Sequence, residues 1–545
     1  MTNGISGVWS TDRLPAAIAF DTTLGQLGLI LGRDTRRFDT DRYLFVLEGQ
    51  AFDDTPEALR DDTSKLEAAY GNYAYVRCDK LSGEVDIGTE RLGYFPIYYA
   101  FEDHRFVFST SLNFVKSALQ RRSPDHEAWE ELLVLGEVIG DKTPVKEIKR
   151  LSVGTRIRIT PTGISFRRFW TPEVPETVDE STYIRTNNLL LHEAMVLTAS
   201  QSRARVVMLS GGEDSRRLAL AAVKAGLKSI CFTQEAIHRG NVDIDSRLAR
   251  DVAAHLGLPL VIEPAPSPDQ HFKDYRTRDE LLGYECIAHE WLLPMIRRIP
   301  RESLVYDGII GDLTINGHYI RQFPEAIDQY RDVGALARMI CGTGDRRWLN
   351  EFSRNAPVSL VDRISEILAG YPESPHRLTI YFLLNHTRRK IALVARLLAE
   401  FGHWTCYPYA YFPLFLQSLS LDPRLQLGKF HQRECMHMIA PEMTSIPTTR
   451  GEIPRQYLVD MSHEDREHDR YLRRHLRINA GALEMFPLIK NRAWLVPLMQ
   501  SRAGGRLLER FGWFLVPVAR YSSFLDWLDD DGVARQGPST LGSLS

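Results

Sequence analysis

Six consecutive residues, Ser210-Gly211-Gly212-Glu213-Asp214-Ser215, carry the strongest chemical signal in this chain. They follow the apolar run "RVVML" and open the helical pattern "SRRLALAAVKAGL", so they form a strand-to-helix turn. Two glycines let backbone N–H groups approach an anion, the helix start adds its positive end, and the hydroxyls of Ser210 and Ser215 donate to phosphate oxygens. No lysine follows as it would in a GxxxxGK[ST] loop. A loop that carries the carboxylate of Asp214 instead suits a metal-bound pyrophosphate, the leaving group when ATP is cleaved between its α and β phosphates. The plainer alternative is a strand-to-helix turn with an Asp or Ser cap.

The elements that must position this loop are legible in the surrounding pattern. At 545 residues the chain exceeds one ordinary domain, and a prior of about 150 residues per domain allows two to four. Hydrophobic residues are 44%, charged residues 25%, and Lys+Arg 67 against Asp+Glu 70 leaves a net charge of -3, so nothing asks for a nucleic-acid partner. Cys78, Cys231, Cys286, Cys341, Cys406 and Cys435 form no CxxC pair or Cys/His cluster, which argues for buried thiols in a reducing compartment. No basic segment followed by a long apolar run opens the chain, and "FGWFLVPVARY" is short and broken by Pro517. The expectation is a cytoplasmic protein without a membrane partner.

Short β-like runs separated by turns fill the first third: "YLFVLEG", "GNYAYVRCD", "GEVDIGT", "FPIYYAF", "HRFVFST", "GTRIRIT" and "GISFRRFW". They predict a mostly antiparallel sheet domain. The Pro- and acid-rich "TPEVPETVDES" reads as a linker. Beyond it, "YIRTNNLLLHEAMVLTAS", "ARVVMLSGG", "DSRRLALAAVKAGL", "SICFTQ", "DIDSRLARDVAAHLGL" and "PLVIEP" alternate helix and strand, which predicts a parallel sheet with ligands at the carboxyl ends of its strands. Residues 270–510 read as largely helical. The expected division is a first domain over 1–172, a linker over 173–183, a second domain over 184–535 and a frayed tail over 536–545.

S-G-G-x-D-S resembles the pyrophosphate loop of the ATP pyrophosphatases, and further segments resemble the asparagine synthetase family in order over roughly residues 1–455. These are "AAYGNYAYVRCD", "ERLGYFPIYYAFEDHRFVFSTSLNFVKSAL", "LGEVIGDKTPVKEIKRLSVGTRIRIT", "NVDIDSRLARDVAAHLGLPLVIE" and "YDGIIGDLTINGHY". The resemblance implies an α+β first domain of the Ntn-hydrolase type, a sandwich of antiparallel sheets with helices. It implies an α/β second domain of the adenine-nucleotide α-hydrolase type, with a parallel sheet and many helices. It puts ATP on Leu209, Ser210, Gly211, Gly212, Asp214, Ser215, Phe232, Thr233 and Gly308, with Cys231 beside the adenine, and Mg2+ on Asp214 and Asp312. Magnesium prefers one or two carboxylates plus phosphate oxygens, which suits that pair.

The family chemistry so implied is attack of a carboxylate on the α-phosphorus of ATP, then displacement of AMP by an amine. The departures from the family pattern bear on where that amine comes from. Aligning "NGISG" with the family's "CGIAG" puts Asn3 at the glutaminase nucleophile, and an amide cannot attack. Glu48 in "EGQAFDD" replaces an oxyanion-hole donor with a carboxylate that repels a developing anion. Leu313 and Ile309 stand where amide-forming relatives carry glutamates, so aspartate is a doubtful substrate. The family's downstream lysine has no obvious counterpart; Arg450, Arg455 and Lys429 are the candidates, and an arginine neutralises charge but is no general base. The helical run with Arg388, Arg389, Lys390 and Arg396 and the run "RYLRRHLRINAGALEMF" read as solvated basic faces, and "WTCYPYAYFPLF" as packed core or pocket wall.

The reading that follows is an ATP-dependent amide ligase with an inert first domain, with small-molecule or peptide carboxylate and amine substrates. Attack within one molecule, as in β-lactam synthetases and lasso-peptide cyclases, is the preferred form, because high effective concentration replaces the glutaminase. Use of free ammonia, a nucleotide-binding protein without turnover, and true glutamine-dependent asparagine synthesis stay open. So do a homodimer and partner biosynthetic proteins.

Overall fold

The computed structural model describes residues 4–530 apart from 11–17, 23–24, 33–34, 202, 236–243, 290, 353–357, 451–452, 458–461, 480, 492–493, 495 and 498–511. Asn3 and the tail at 536–545 therefore lie outside the described residues.

The seven strands read from the first third are present, together with others before and between them. In order they are β1 (Ile5–Ser10), β2 (Ile18–Thr22), β3 (Gly25–Leu31), β4 (Thr35–Asp39), β5 (Tyr43–Ala51), β6 (Gly71–Asp79), β7 (Glu84–Thr89), β8 (Tyr98–Glu102), β9 (Arg105–Ser109), β10 (Lys149–Arg150), β11 (Thr155–Thr160) and β12 (Gly163–Arg168). They form two six-stranded sheets, ordered β10-β8-β9-β1-β3-β2 and β12-β11-β7-β6-β5-β4, in which the neighbouring strands run antiparallel. The continuous apolar run in β5 has a physical cause in its position. Leu44 and Val46 face the core shared with Leu27, Leu29, Phe106 and Phe108, while Phe45 and Leu47 pack with Leu59 and Leu66 of two short helices. A strand buried on both faces loses polar alternation.

The helix expected after the linker begins at Glu180 and runs to Leu197, inside the stretch assigned to the linker. The Asp179 side chain accepts from the Thr182 N–H at 2.9 Å and so caps the helix before its apolar periodicity starts.

The second half is built on a parallel sheet of β13 (Arg205–Met208), β14 (Ile230–Gln234), β15 (Leu260–Glu263), β16 (Leu304–Tyr306) and β17 (Trp404–Cys406), ordered β15-β14-β13-β16-β17. From β13 the chain builds outward through β14 and β15, then returns to add β16 on the other side. The strand order thus reverses between β13 and β16, and the loops that leave these two strands open a crevice at their carboxyl ends. That crevice receives residues 210–215 and 307–312.

The expectation of a solvated face at 388–396 fails for its arginines. Arg388, Arg389 and Arg396 are 2%, 0% and 1% exposed. Their guanidiniums cross the boundary between the two halves. Arg388 donates to the carbonyls of Gly93 and Leu151, and Arg389 donates to the Val138 carbonyl at 3.2 Å and the Glu285 carboxylate at 2.6 Å. Arg150 reaches back to the Arg388 carbonyl at 3.2 Å. Burial, then the charges of Arg150 and Arg389, push Arg388 down to about 9. Loop carbonyls with no helical partner accept these donors and make the burial tolerable. In the other basic run, Arg470, Arg474 and Arg477 are exposed. The aromatic run at 404–415 is buried, with Tyr407, Tyr409 and Phe415 in the core. All six cysteines are free and buried. Among the described residues no helix is long and apolar enough to cross a membrane.

Candidate functional site

Residues Ser210–Ser215 leave β13 and enter the helix Glu213–Lys224, with Gly212 at its N-cap. The loop is closed by its own hydroxyls. The Ser210 N–H donates to Ser215 Oγ at 3.0 Å, the two hydroxyls share a hydrogen bond at 2.9 Å, and the Gly212 N–H donates to Ser210 Oγ at 3.2 Å. The Gly211 N–H is taken by the carboxylate of Asp245 at 2.8 Å. Asp245 opens the next helix, Asp245–Leu256, and sequence reasoning did not single it out. A side chain at Gly211 would meet Leu248 at 2.7 Å, so close packing requires the glycine.

Asp214 and Asp312 come together although 98 residues separate them: the Asp312 N–H donates to Asp214 Oδ2. The short helix Gly311–Thr314 after β16 carries Asp312. A Cβ at Gly308 would lie 3.2 Å from the Ser215 nitrogen, and one at Gly311 would lie 2.9 Å from the Asp214 carboxyl carbon. Both positions need glycine for this approach. Between them Ile310 adopts φ +83°, a strained conformation for a β-branched residue.

Gln432, on the helix His431–Ile439, fixes the pair from the far side. Its Oε1 accepts from Arg217 at 2.6 Å, which turns its Nε2 toward Asp214 Oδ1 at 2.7 Å. Asp312 accepts from Asn316 Nδ2 at 3.1 Å and pairs with His318 Nδ1 at 3.1 Å and with Arg450. Burial, then the Asp312 charge, push the Asp214 carboxyl well above its ordinary range. Burial acts on Asp312 in the same direction, but the hydrogen bond from His318, the Arg450 charge and Asn316 outweigh it and hold that carboxyl low.

The remaining sequence-predicted residues divide. Leu209, Phe232 and Thr233 are 2%, 3% and 4% exposed at the ends of β13 and β14, where the Leu209 N–H donates to the Phe232 carbonyl at 2.9 Å. Of the three candidate cations only Arg450 stands at the carboxylate pair. Lys429 is turned away, its Nζ 3.1 Å from Glu180 at the start of the helix Glu180–Leu197. Arg455 is exposed on a 3-10 turn, Arg455–Tyr457. A sequence search for a lysine near the loop misleads here because the helix His431–Ile439 carries the chain past Lys429 before it returns at 445–450. Gln432, Asn316 and His318 had no motif to announce them.

In the first half, Glu48 is 3% exposed. Its Oε2 accepts from the Ile5 N–H at 2.9 Å and its Oε1 pairs with Arg396 at 3.1 Å. Burial outweighs these partners and pushes Glu48 up. Beside it a void of about 10 Å³, lined by Gly49, Asn72, Ala395, His403 and Trp404 among others, has room for about one water.

Comparison with known proteins adds one coarse result. Residues 61–170 match the glutamine amidotransferase domain family. The matched segment spans β6 to β12 and lies within the two antiparallel sheets. No curated protein sequence matches the chain. Among solved structures, the glutamine phosphoribosylpyrophosphate amidotransferase of B. subtilis complexed with ADP and GMP is 9% identical, with 58% of this chain and 77% of that chain covered and a TM-score of 0.21. The U34-tRNA thiolase NcsA from Methanococcus maripaludis with its 4Fe–4S cluster is 12% identical over 63% of this chain and 88% of that chain, at a TM-score of 0.23.

The carboxylate pair has the chemistry of a magnesium site. Among the described residues no group of three or more His, Cys, Asp and Glu side chains could enclose a metal ion alone, but magnesium is held by one or two carboxylates with substrate phosphates completing its shell. Two carboxylates forced together, one of them pushed up by burial and by the other, gain most from a divalent cation. Arg450 supplies the positive charge on Asp312 in the present arrangement.

Proposed function

We propose that this chain is an ATP-dependent ligase of the asparagine synthetase type, which joins a carboxylate to an amine with release of AMP and pyrophosphate and without hydrolysing glutamine. One observation carries the reading: Asp214, in a phosphate-binding type of loop, and Asp312 meet at the switch point of a parallel sheet. On this reading the second half is of the adenine-nucleotide α-hydrolase type. The first half is of the Ntn-hydrolase type, and the match of residues 61–170 supports its kinship with glutamine amidotransferases.

The residues divide the work as follows. The N–H groups at the helix start, Glu213–Ser215, together with the hydroxyls of Ser210 and Ser215, would hold the β and γ phosphates, while the N–H groups of Ser210, Gly211 and Gly212 keep the loop closed. Leu209, Phe232, Thr233 and Gly308 border the adenosine. Asp214 and Asp312 would hold Mg2+, which when bound would neutralise the phosphates and the departing pyrophosphate. Arg450 leaves Asp312 for the phosphates as the nucleotide enters. A substrate carboxylate oxygen attacks the α-phosphorus, the bond to the β-phosphate oxygen breaks, and the resulting acyl-adenylate loses AMP to an amine. Glu48 and its pairing with Arg396 fill the place where a glutaminase needs an electropositive pocket, which supports an amine from the substrate itself, a second molecule or free ammonia. Ile309 and Leu313 beside Asp312 favour an acyl group less polar than aspartate.

The test is release of AMP and pyrophosphate by the purified chain with Mg-ATP and pools of carboxylic acids, amines and peptides, against Asp214→Ala. AMP formed by wild type and lost in the variant supports the reading. ATP binding without AMP from every pool sinks it.

A further inference from the structure

A second cluster of ionisable groups lies across the boundary of the two halves, beside Asp312 and outside the site described above. Glu137 follows the helix His126–Leu135, and its carboxylate is 4% exposed. It accepts from His386 Nδ1 at 3.1 Å, and Lys390 Nζ lies 3.5 Å from its other oxygen. The side chains of His386 and Lys390 are 20% and 18% exposed, so the cluster is reached from outside. Burial pushes the Glu137 carboxyl up, but the charge His386 carries when protonated, its hydrogen bond and Lys390 outweigh it and hold the group below its ordinary range. In the neutral ring the carboxylate bonded to Nδ1 keeps the proton on that nitrogen and leaves Nε2 as the acceptor. Among the described residues Nε2 makes no hydrogen bond.

The backbone around His386 is unusual. Residues Leu383–Thr387 form a π-helical turn that continues the helix Arg377–Phe382. Such turns re-aim side chains and recur at functional sites. Here the turn brings the His386 ring to 5.8 Å from Tyr319, which is also stacked on Phe382 at 3.3 Å. His318, the residue before Tyr319, bonds Asp312 at 3.1 Å. Tyr319 thus lies against the imidazole while His318, next to it in sequence, holds Asp312, and the Tyr319 phenol is pushed up by burial, then by the charges of Glu137 and Asp312.

We infer that His386 is the base of the amide-forming half-reaction, oriented by Glu137, and that the amine substrate binds on the Tyr319 side of Asp312. The inference rests on the ligase reading. The amine nitrogen attacks the acyl carbon of the acyl-adenylate, the bond from that carbon to the phosphate oxygen breaks, and AMP leaves with the electron pair. The proton lost by the nitrogen passes to His386 Nε2 and from there to solvent. Glu137 keeps the ring in the accepting tautomer and stabilises the imidazolium, and Lys390 balances the buried carboxylate.

The experiment uses the full chain with Mg-ATP and the substrate pool that yields most AMP, and separates the two half-reactions. Acid-dependent exchange of labelled pyrophosphate into ATP reads adenylation. Hydroxamate formed with hydroxylamine, a nucleophile that needs no base at neutral pH, reads capture of the acyl-adenylate, and amide formation reads the step assigned to His386. His386→Ala should keep exchange and hydroxamate formation while amide formation falls by about 100-fold or more, and imidazole in the buffer should restore part of it. Glu137→Gln should show the same split with a smaller loss. A parallel fall of all three readouts, an unchanged rate of amide formation, or a split that imidazole leaves untouched overturns the inference and reduces the cluster to a clamp between the halves. Wild type that exchanges no pyrophosphate with any pool overturns the ligase reading, and this inference with it.

Discussion

Glu48 and Arg396, 348 residues apart, form a buried ion pair at 3.1 Å that joins the fifth strand of the first half to a helix of the second. The pair binds the two halves together. Removing only the cation leaves the buried Glu48 without this ion pair and takes one from Glu400 as well. Arg396→Ala should therefore lose about 3–5 kcal/mol of stability, and the double variant Glu48→Gln, Arg396→Met should recover most of it. Urea unfolding of the single and double variants reads this directly; equal losses in both would show that the ion pair is not the source.

Magnesium binding should release protons. The Asp214 carboxyl is pushed up by burial and by Asp312, so in the folded chain a proton competes with the metal for it. Mg-ATP affinity should rise with pH until Asp214 is fully ionised, and calorimetry in two buffers of different ionisation enthalpy should detect protons that Asp214→Asn does not release. An affinity that does not rise with pH above the ordinary carboxylate range would count against this carboxylate as a metal ligand.

Glutamine should not be a nitrogen source. Glu48 sits in the pocket with the Ile5 N–H and Arg396 as partners, and the void beside it is about 10 Å³. Glutamate release from glutamine by wild type should equal that of Asn3→Ala and of buffer. A rate clearly above the variant would refute the inert pocket.

Glu90 should make folding stability fall with rising pH. It is buried and accepts from the Gly93 and Phe95 N–H groups at 2.8 Å each, yet burial dominates and raises its carboxyl from 4.5 to about 7. The folded state thus holds the proton more tightly than the unfolded chain. The contribution is full below 4.5, declines through the interval up to about 7 and is gone above it, amounting to about 3 kcal/mol. Unfolding free energies from pH 5 to about 8 should drop in wild type and drop less in Glu90→Gln; identical slopes would assign the dependence to other groups.

Much of this architecture could be read without coordinates. Alternation in "GTRIRIT" and "GEVDIGT" marks strands, although both are buried on more than one face, and the change to helix-strand alternation after residue 183 marks the parallel sheet. The loop at 210–215 was legible because its geometry depends on neighbours in sequence: two glycines, two hydroxyls and a helix start. The linker end was misplaced by a few residues, since Asp179 caps a helix before any periodicity appears.

What the sequence alone determined, then, is local: the strands, the strand-to-helix loop at 210–215, and the absence of a cysteine before Cys78. What only the tertiary structure decided is which distant groups share one place. Arg388, Arg389 and Arg396 look like a solvated stripe in one dimension, because helical spacing says nothing about the loops of another unit whose carbonyls and carboxylates require donors. Gln432 and Arg450 reach the carboxylate pair, while Lys429, three residues before Gln432, turns to Glu180 instead. His386 meets Glu137 across 249 residues by way of a π-turn with no signature of its own. The reason is physical: a short motif encodes the geometry of the backbone that carries it, whereas charge complementarity between units is settled only by packing, where each buried polar group needs a partner.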